Sequence, residues 1–231
     1  KWDLPVGRKG QYIDTSASYI TFQVNSADAT NTMEVDGAAS AFFQRLSIYS
    51  GGQLLEDINE YAAFYDAILD SQVDATTRVT ALSIAHGCAN AAANNRSEGG
   101  YVIPTSGTQI FSIPLVSGIL GGSLSKYLPI GAVTTDLRLE IQLANALDAV
   151  CATAGTGAWT ISKPYLWLQA VELAADAQAM IDHATAGRYY ISTDGWRNYN
   201  TVLSGTSGDN TLIPARFSSV KSLMHIYRPV A

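Results

Sequence analysis

The sequence predicts an all-β protein, an antiparallel jelly-roll β-sandwich with short helices inserted in its connections. Three observations carry that prediction. Several short runs alternate apolar and polar residues with period two. The clearest is 136–143, where Leu137, Leu139, Ile141 and Leu143 face one way and Asp136, Arg138, Glu140 and Gln142 the other. Clusters of Gly, Pro, Ser and Asn separate these runs. Helical periodicity is confined to a few connections and does not alternate regularly with strands, which argues against a parallel doubly wound sheet.

Taken in order, Tyr19, Thr21 and Gln23 alternate with Ile20, Phe22 and Val24 in a half-buried strand. The stretch 25–39 is polar and reads as a loop. Residues 42–49 form a second strand, stopped by Ser50-Gly51-Gly52. Ile58, Tyr61, Ala62, Tyr65, Ile68 and Leu69 fall on one face of a helix. A second helix is expected over 76–94, with Val79, Leu82, Ala85, Cys88 and Ala92 aligned. Residues 108–113 are a strand that Pro114 limits to an edge or an end. The Gly-rich, aperiodic stretch 117–132 reads as a long crossing loop. Residues 159–173 are strand-like, interrupted at Lys163-Pro164, and 174–184 a short helix. Three more strands are expected at 189–191, 196–203 and 217–227. The jelly-roll domain is thus 1–186, and 187–231 is either its closing strands or the start of a second roll.

Composition narrows the function. The chain has 231 residues and a net charge of −6, which argues against gripping a polyanion as the main task. Charged residues are 15%, well below the roughly 25% of ordinary globular domains. Uncharged polar side chains coating a monomer would explain this. So would a surface covered by neighbouring copies, since interface cores are depleted in Lys, Glu and Asp. With 47% hydrophobic residues the chain is not disordered, and no run of about 20 apolar residues spans a membrane. Two cysteines do not make a disulfide scaffold. The chain opens at Lys1 and stops after a strand-like run, which fits either a natural domain or a piece of a longer polypeptide.

Catalytic signatures are missing: no G-x-S-x-G, H-E-x-x-H, C-x-x-C or P-loop occurs. Gly118–Ser123 lacks phosphate-loop spacing. His86 and Cys88 would not share a helix face, so a buried thiol and an ordinary histidine are the better reading than a metal pair. No enzyme activity and no cofactor is implied. Glu56, Asp57, Glu60, Asp66, Asp70 and Asp74 form an acidic run. Arg188, Arg197, Arg216, Lys221 and Arg228 face only Asp194 and Asp209, so the C-terminal stretch carries +5 − 2 = +3. Both are solvated surfaces in the plain reading. In the sharper one, Asp66 and Asp70 meet Arg216 and Lys221 at a contact between subunits. Clustered basic residues among aromatics, as sequence-specific nucleic-acid readout needs, are lacking.

Several segments resemble the jelly-roll major capsid proteins of tailless icosahedral DNA viruses, in particular the double-jelly-roll polinton, adintovirus and virophage-like group. Gly10-Gln11-Tyr12-Ile13-Asp14-Thr15-Ser16-Ala17-Ser18-Tyr19-Ile20 resembles the first strand of that family. Residues 43–58 are similar to its strand running into a helix. Phe111-Ser112-Ile113-Pro114-Leu115, Leu128-Pro129-Ile130 and 136–140 are similar to a recurring central block, and 213–223 to a strand leading towards a second roll. A double roll is about twice this length, so the chain corresponds to one roll with the start of another, or to a complete single roll. The resemblance implies a structural protein of the virion that self-assembles into an icosahedral shell around the genome. Its partners would be other copies, as a trimer or larger shell, and minor capsid proteins. The other reading is a jelly-roll carbohydrate-binding or surface-adhesion module with Trp159, Trp167 and Trp196 as a sugar platform.

Overall fold

A computed structural model describes residues 1–88, 100–122, 124, 126–151, 157–203, 212–214 and 216–226. Among these residues ten strands form three antiparallel sheets. The first sheet has the order β1 (Trp2–Leu4), β8 (Leu137–Leu143), β4 (Phe43–Ser50), β5 (Gln53–Asn59). The second has β10 (Trp159–Glu172), β2 (Gln11–Ser26), β7 (Thr108–Pro114). A small third sheet joins β6 (Val102–Ile103), β3 (Met33–Val35) and β9 (Val150–Cys151). Early strands pair with late ones in a nested series: β2 with β10, β3 with β9, β4 with β8. A long antiparallel hairpin rolled over on itself produces this nesting, which is the topology of a jelly roll. Four helices sit in connections: α1 (Tyr61–Gln72), α2 (Ala75–Thr80), α3 (Ala146–Ala149) and α4 (Ala175–Thr185).

The alternation read from the sequence sets the two faces of each sheet. Ile20, Phe22 and Val24 of β2 and Phe111 and Ile113 of β7 point inward from one sheet. Leu46 and Ile48 of β4, Ile58 of β5, and Leu137 and Leu139 of β8 point inward from the other. The Phe22 ring lies 4.8 Å from Phe43 across the sandwich and also touches Phe42 and Phe111. Each of these side chains contributes about 1.5–3 kcal/mol by leaving water. α1 closes one end with Tyr61 and Tyr65 buried. α4 is tied to β2 by the Tyr12 hydroxyl, which donates to Gln178 Oε1 at 2.9 Å, and by the Lys9–Asp182 ion pair at 2.6 Å.

Several sequence expectations are corrected. Ser50-Gly51-Gly52 stops β4 as expected but leads straight into a further strand, β5. It turns a tight hairpin in which Ser50 pairs with Gln53, and φ is +54° at Gly51 and +85° at Gly52. Two consecutive left-handed residues are what a type I′ turn needs, and glycine supplies them without strain. Ile58 therefore belongs to β5, and the helix starts at Tyr61. The second helix is only Ala75–Thr80, capped where Asp74 Oδ1 accepts from the Thr77 N–H at 3.0 Å; residues 89–94 lie outside the described residues. The expected loop 25–39 contains β3. The crossing loop over 117–132 is irregular, but Ser117 and Leu120 within it are buried. The strands expected at 189–191, 196–203 and 217–226 carry no pairing; that stretch has no helix or strand among its described residues. Strand propensity is realised only where a neighbouring backbone offers hydrogen bonds.

Candidate functional site

The acidic face of α1 is already engaged within the chain. Arg78, from α2, points back so that its Nη2 meets Asp66 Oδ1 at 2.7 Å, and it also pairs with Asp70. The guanidinium is almost fully buried, at 7% exposure, while the two carboxylates remain largely open to water. Beneath this triad, burial pushes the Cys88 thiol up to about 11 and the Tyr65 hydroxyl well above its usual range. Cys88 is thereby held protonated at neutral pH and is a poor nucleophile. Burial also lowers the His86 imidazole. The sequence grouped Asp66 and Asp70 with no cation; Arg78 sits close beyond the run, and the turn at Val73–Asp74 brings it back onto them.

The basic residues of the C-terminal stretch lie elsewhere. Lys221 Nζ meets Asp194 Oδ1 at 2.6 Å, and Arg216 is exposed. The segment is strapped to the body near its start. Trp196 packs against Phe64 with ring centroids 4.6 Å apart, Asn198 Nδ2 donates to the Asn59 carbonyl at 3.0 Å, and the Thr193 hydroxyl donates to the Gly118 carbonyl. Beyond that strap, Val202, Leu212, Phe217, Val220 and Leu223 stand exposed.

Glu56, which the sequence places in the acidic run, is buried. Its carboxylate accepts from the Ser117 hydroxyl at 2.5 Å and from the Gly118 N–H at 2.8 Å. Ser117 Oγ in turn accepts from the Ile119 and Leu120 N–H groups at 3.1 Å each. One carboxylate thus fastens the crossing loop to β5. No sequence signal marks it, because alternate burial along β5 appears only once the hairpin is recognised.

A shallow groove of about 300 Å³ is lined by Gln44, Arg45, Asn59, Glu60, Gln142, Asn198 and Asn200. Its guanidinium is committed: Arg45 holds Asp57 through two bonds of 2.6 and 2.7 Å and keeps that carboxyl below the usual carboxylate range. The lining is mainly side-chain amides, which bind and orient polar groups but do not transfer protons at neutral pH. Among the described residues no cluster of three or more His, Cys, Asp or Glu is placed to hold a metal, and no helix is long and apolar enough to cross a membrane.

The two outer sheet faces differ in charge. On the β1-β8-β4-β5 sheet, Arg138 Nε meets Asp3 Oδ1 at 2.6 Å, Glu140 follows on the same strand, and Arg45 pairs with Asp57 across to β5. On the β10-β2-β7 sheet, register sets Trp167 beside Tyr19 and Pro114, Tyr165 beside Thr21 and Ser112, Ser162 beside Gln23 and Ile110, and Thr160 beside Asn25 and Thr108. None of these twelve residues is charged. Tyr19 and Trp167 stack at 6.0 Å with planes 14° apart, Tyr165 flanks them, and all three are exposed. Of the three tryptophans expected as a platform, only Trp167 lies on this face. Trp159 packs edge-on against Phe42 at 4.9 Å, and Trp196 packs on Phe64.

The fold is therefore that of an antiparallel jelly-roll sandwich. No protein-family model and no curated protein matches the chain. A solved structure described as PBCV-1 VP54 fitted into a cryo-EM reconstruction of the virophage Sputnik is similar over 77% of this chain, with a TM-score of 0.45 and 16% identity. The match spans 39% of that chain's length.

Proposed function

We propose that this chain is a structural capsid protein of a virion, self-assembling through its jelly-roll sandwich into an icosahedral shell, without catalytic activity. The observation that carries this reading is the uncovered apolar surface of a single copy: the aromatic sheet face and, among the described residues of the C-terminal stretch, the exposed Val202, Leu212, Phe217, Val220 and Leu223. A lone soluble domain rarely leaves contiguous patches of this kind in water. The segment resemblances over 10–20, 43–58, 111–140 and 213–223 point the same way. The C-terminal stretch, strand-like in sequence and without strand pairing among its described residues, fits a segment that takes up pairing only beside another copy or in a second roll. The sharper electrostatic reading fits as well: Arg216 and Lys221 of one copy approach Asp66 and Asp70 of the next, whose carboxylates stay open to water beyond Arg78. Many modest contacts of this kind hold a closed shell by multivalency.

Particle mass in native solution tests the proposal. Mass photometry or negative-stain imaging at micromolar concentration is expected to show trimers or closed shells. A clean monomer of 24.6 kDa refutes it.

A further inference from the structure

The two outer faces of the sandwich are built from the same chain in the same solvent, yet one is a ladder of ion pairs and the other has no charge across its four paired rows. Solvation alone gives no reason for that asymmetry. We infer that the four uncharged rows of the β10-β2-β7 face are the surface on which a second copy of this chain docks, with Trp167, Tyr19 and Tyr165 towards one end and Ile110 towards the other. This inference rests on the assembly reading and names the surface it uses.

Electrostatics selects the occupant. Each copy carries a net charge of −6, so two copies repel unless they approach through surfaces that bear no charge and strand none on contact. The four rows from Trp167–Tyr19–Pro114 to Thr160–Asn25–Thr108 meet that condition; the nearest charges are Lys163, exposed in the β10 bulge and a cation that does not add to the repulsion between two acidic copies, and Asp14, beside Gln169 beyond the last row. Their composition also suits the centre of an interface, where Tyr and Trp are enriched and Lys, Glu and Asp depleted. The stacked pair is half open, with Trp167 at 50% and Tyr165 beside it at 56% exposure, and Ile110 stands at 61%. Trp167 is held in place because its Nε1 donates to Thr21 Oγ1 at 2.8 Å, which lowers the ordering cost on contact. The face rather than the free edge of β10 is the contact. That edge is broken where the register shifts between Ser162 and Tyr165: Lys163 there has φ +49°, and Pro164 has no N–H to donate. A bulge carrying Lys and Pro blocks edge-to-edge strand addition.

The test compares the wild-type chain with Trp167→Asp and, separately, Ile110→Asp, by mass photometry across a concentration series. Far-UV circular dichroism and urea unfolding check that each variant folds. Two positions on different strands keep the test decisive if one variant does not fold. The expected result is a folded variant whose self-association midpoint rises at least about tenfold, as for loss of an interface anchor. A folded variant of either kind that assembles like wild type overturns the docking face while leaving the shell reading intact. A monomeric wild type overturns both. Maltohexaose serves as the probe for a neutral sugar. A monomeric wild type whose tryptophan fluorescence shifts with maltohexaose, with the shift lost in both Trp167→Asp and Tyr165→Asp, assigns the face to a neutral glycan instead.

Discussion

Replacing Glu56 separates a carboxylate that holds the crossing loop from one merely tolerated in the interior. The wild-type group is 5% exposed and accepts two hydrogen bonds, from Ser117 Oγ and Gly118 N–H. Bonds to a charged group are worth about 1.5–3 kcal/mol each. The gross contribution is therefore about 3–6 kcal/mol, offset by a desolvation cost of several kcal/mol for the buried charge. Glu56→Gln keeps an acceptor for Gly118 and loses the charge, so its expected cost is about 1–2 kcal/mol. Glu56→Leu fills the space but leaves the buried Gly118 N–H and Ser117 O–H facing an apolar group. Two stranded donors at about 1–3 kcal/mol each, less the relief of desolvation, give an expected loss of about 2–4 kcal/mol. The assay is urea unfolding at a concentration where the chain is monomeric, with an unchanged slope confirming that the compared states are the same. Raising salt from 0.1 to 1 M should not narrow the gap, because the bonds are buried. A Glu56→Leu variant as stable as wild type, or more stable, refutes the reasoning and makes the buried charge a net burden.

Three other outcomes follow from the ion pairs. Asp66→Lys with Asp70→Lys places cations against the nearly buried Arg78, so the double variant should lose about 3–5 kcal/mol of stability in urea and cannot report on assembly alone. Arg216→Glu with Lys221→Glu is the cleaner probe of the proposed contact, because the Lys221–Asp194 pair is exposed and worth little to the fold. It should keep wild-type stability and assemble more weakly; unchanged assembly at low and high salt removes the electrostatic contact. Arg45 depresses the Asp57 carboxyl in the folded chain, so that group adds stability above its unfolded value near about 4, and the contribution disappears as pH falls through the folded value. The stability gap between wild type and Asp57→Asn should be flat above about pH 5 and shrink below about pH 4. A gap that stays constant or widens in acid contradicts this assignment.

Period-two alternation was enough to orient β2 and β8, because each strand buries one face and the side chains of a strand point alternately to its two sides. The inward and outward sets of 137–142 and 19–24 could be read directly for that reason. The bulge at Lys163-Pro164 was also legible, since proline cannot donate in a ladder. What the alternation did not carry was pairing. Which strand meets which depends on contacts between residues 87 to 161 positions apart, and only the folded chain nests β2 with β10 and β4 with β8. The same distance effect hid the partner of each candidate charge. Asp66 and Asp70 looked free until the turn after α1 returned Arg78 to them, and Glu56 looked wet until β5 placed it under Ser117. The aromatic shelf followed the same rule: Tyr19 and Trp167 are 148 positions apart in sequence and meet only through register. Local propensity misread 189–226 in the opposite direction. Its residues favour strands, but a strand is made by its neighbour's hydrogen bonds, and the described residues of that stretch sit in no sheet. Composition and periodicity thus determined the class of fold and the facing of its best strands, while the tertiary structure alone decided which charges are spent inside the chain and which aromatic side chains share one exposed sheet face.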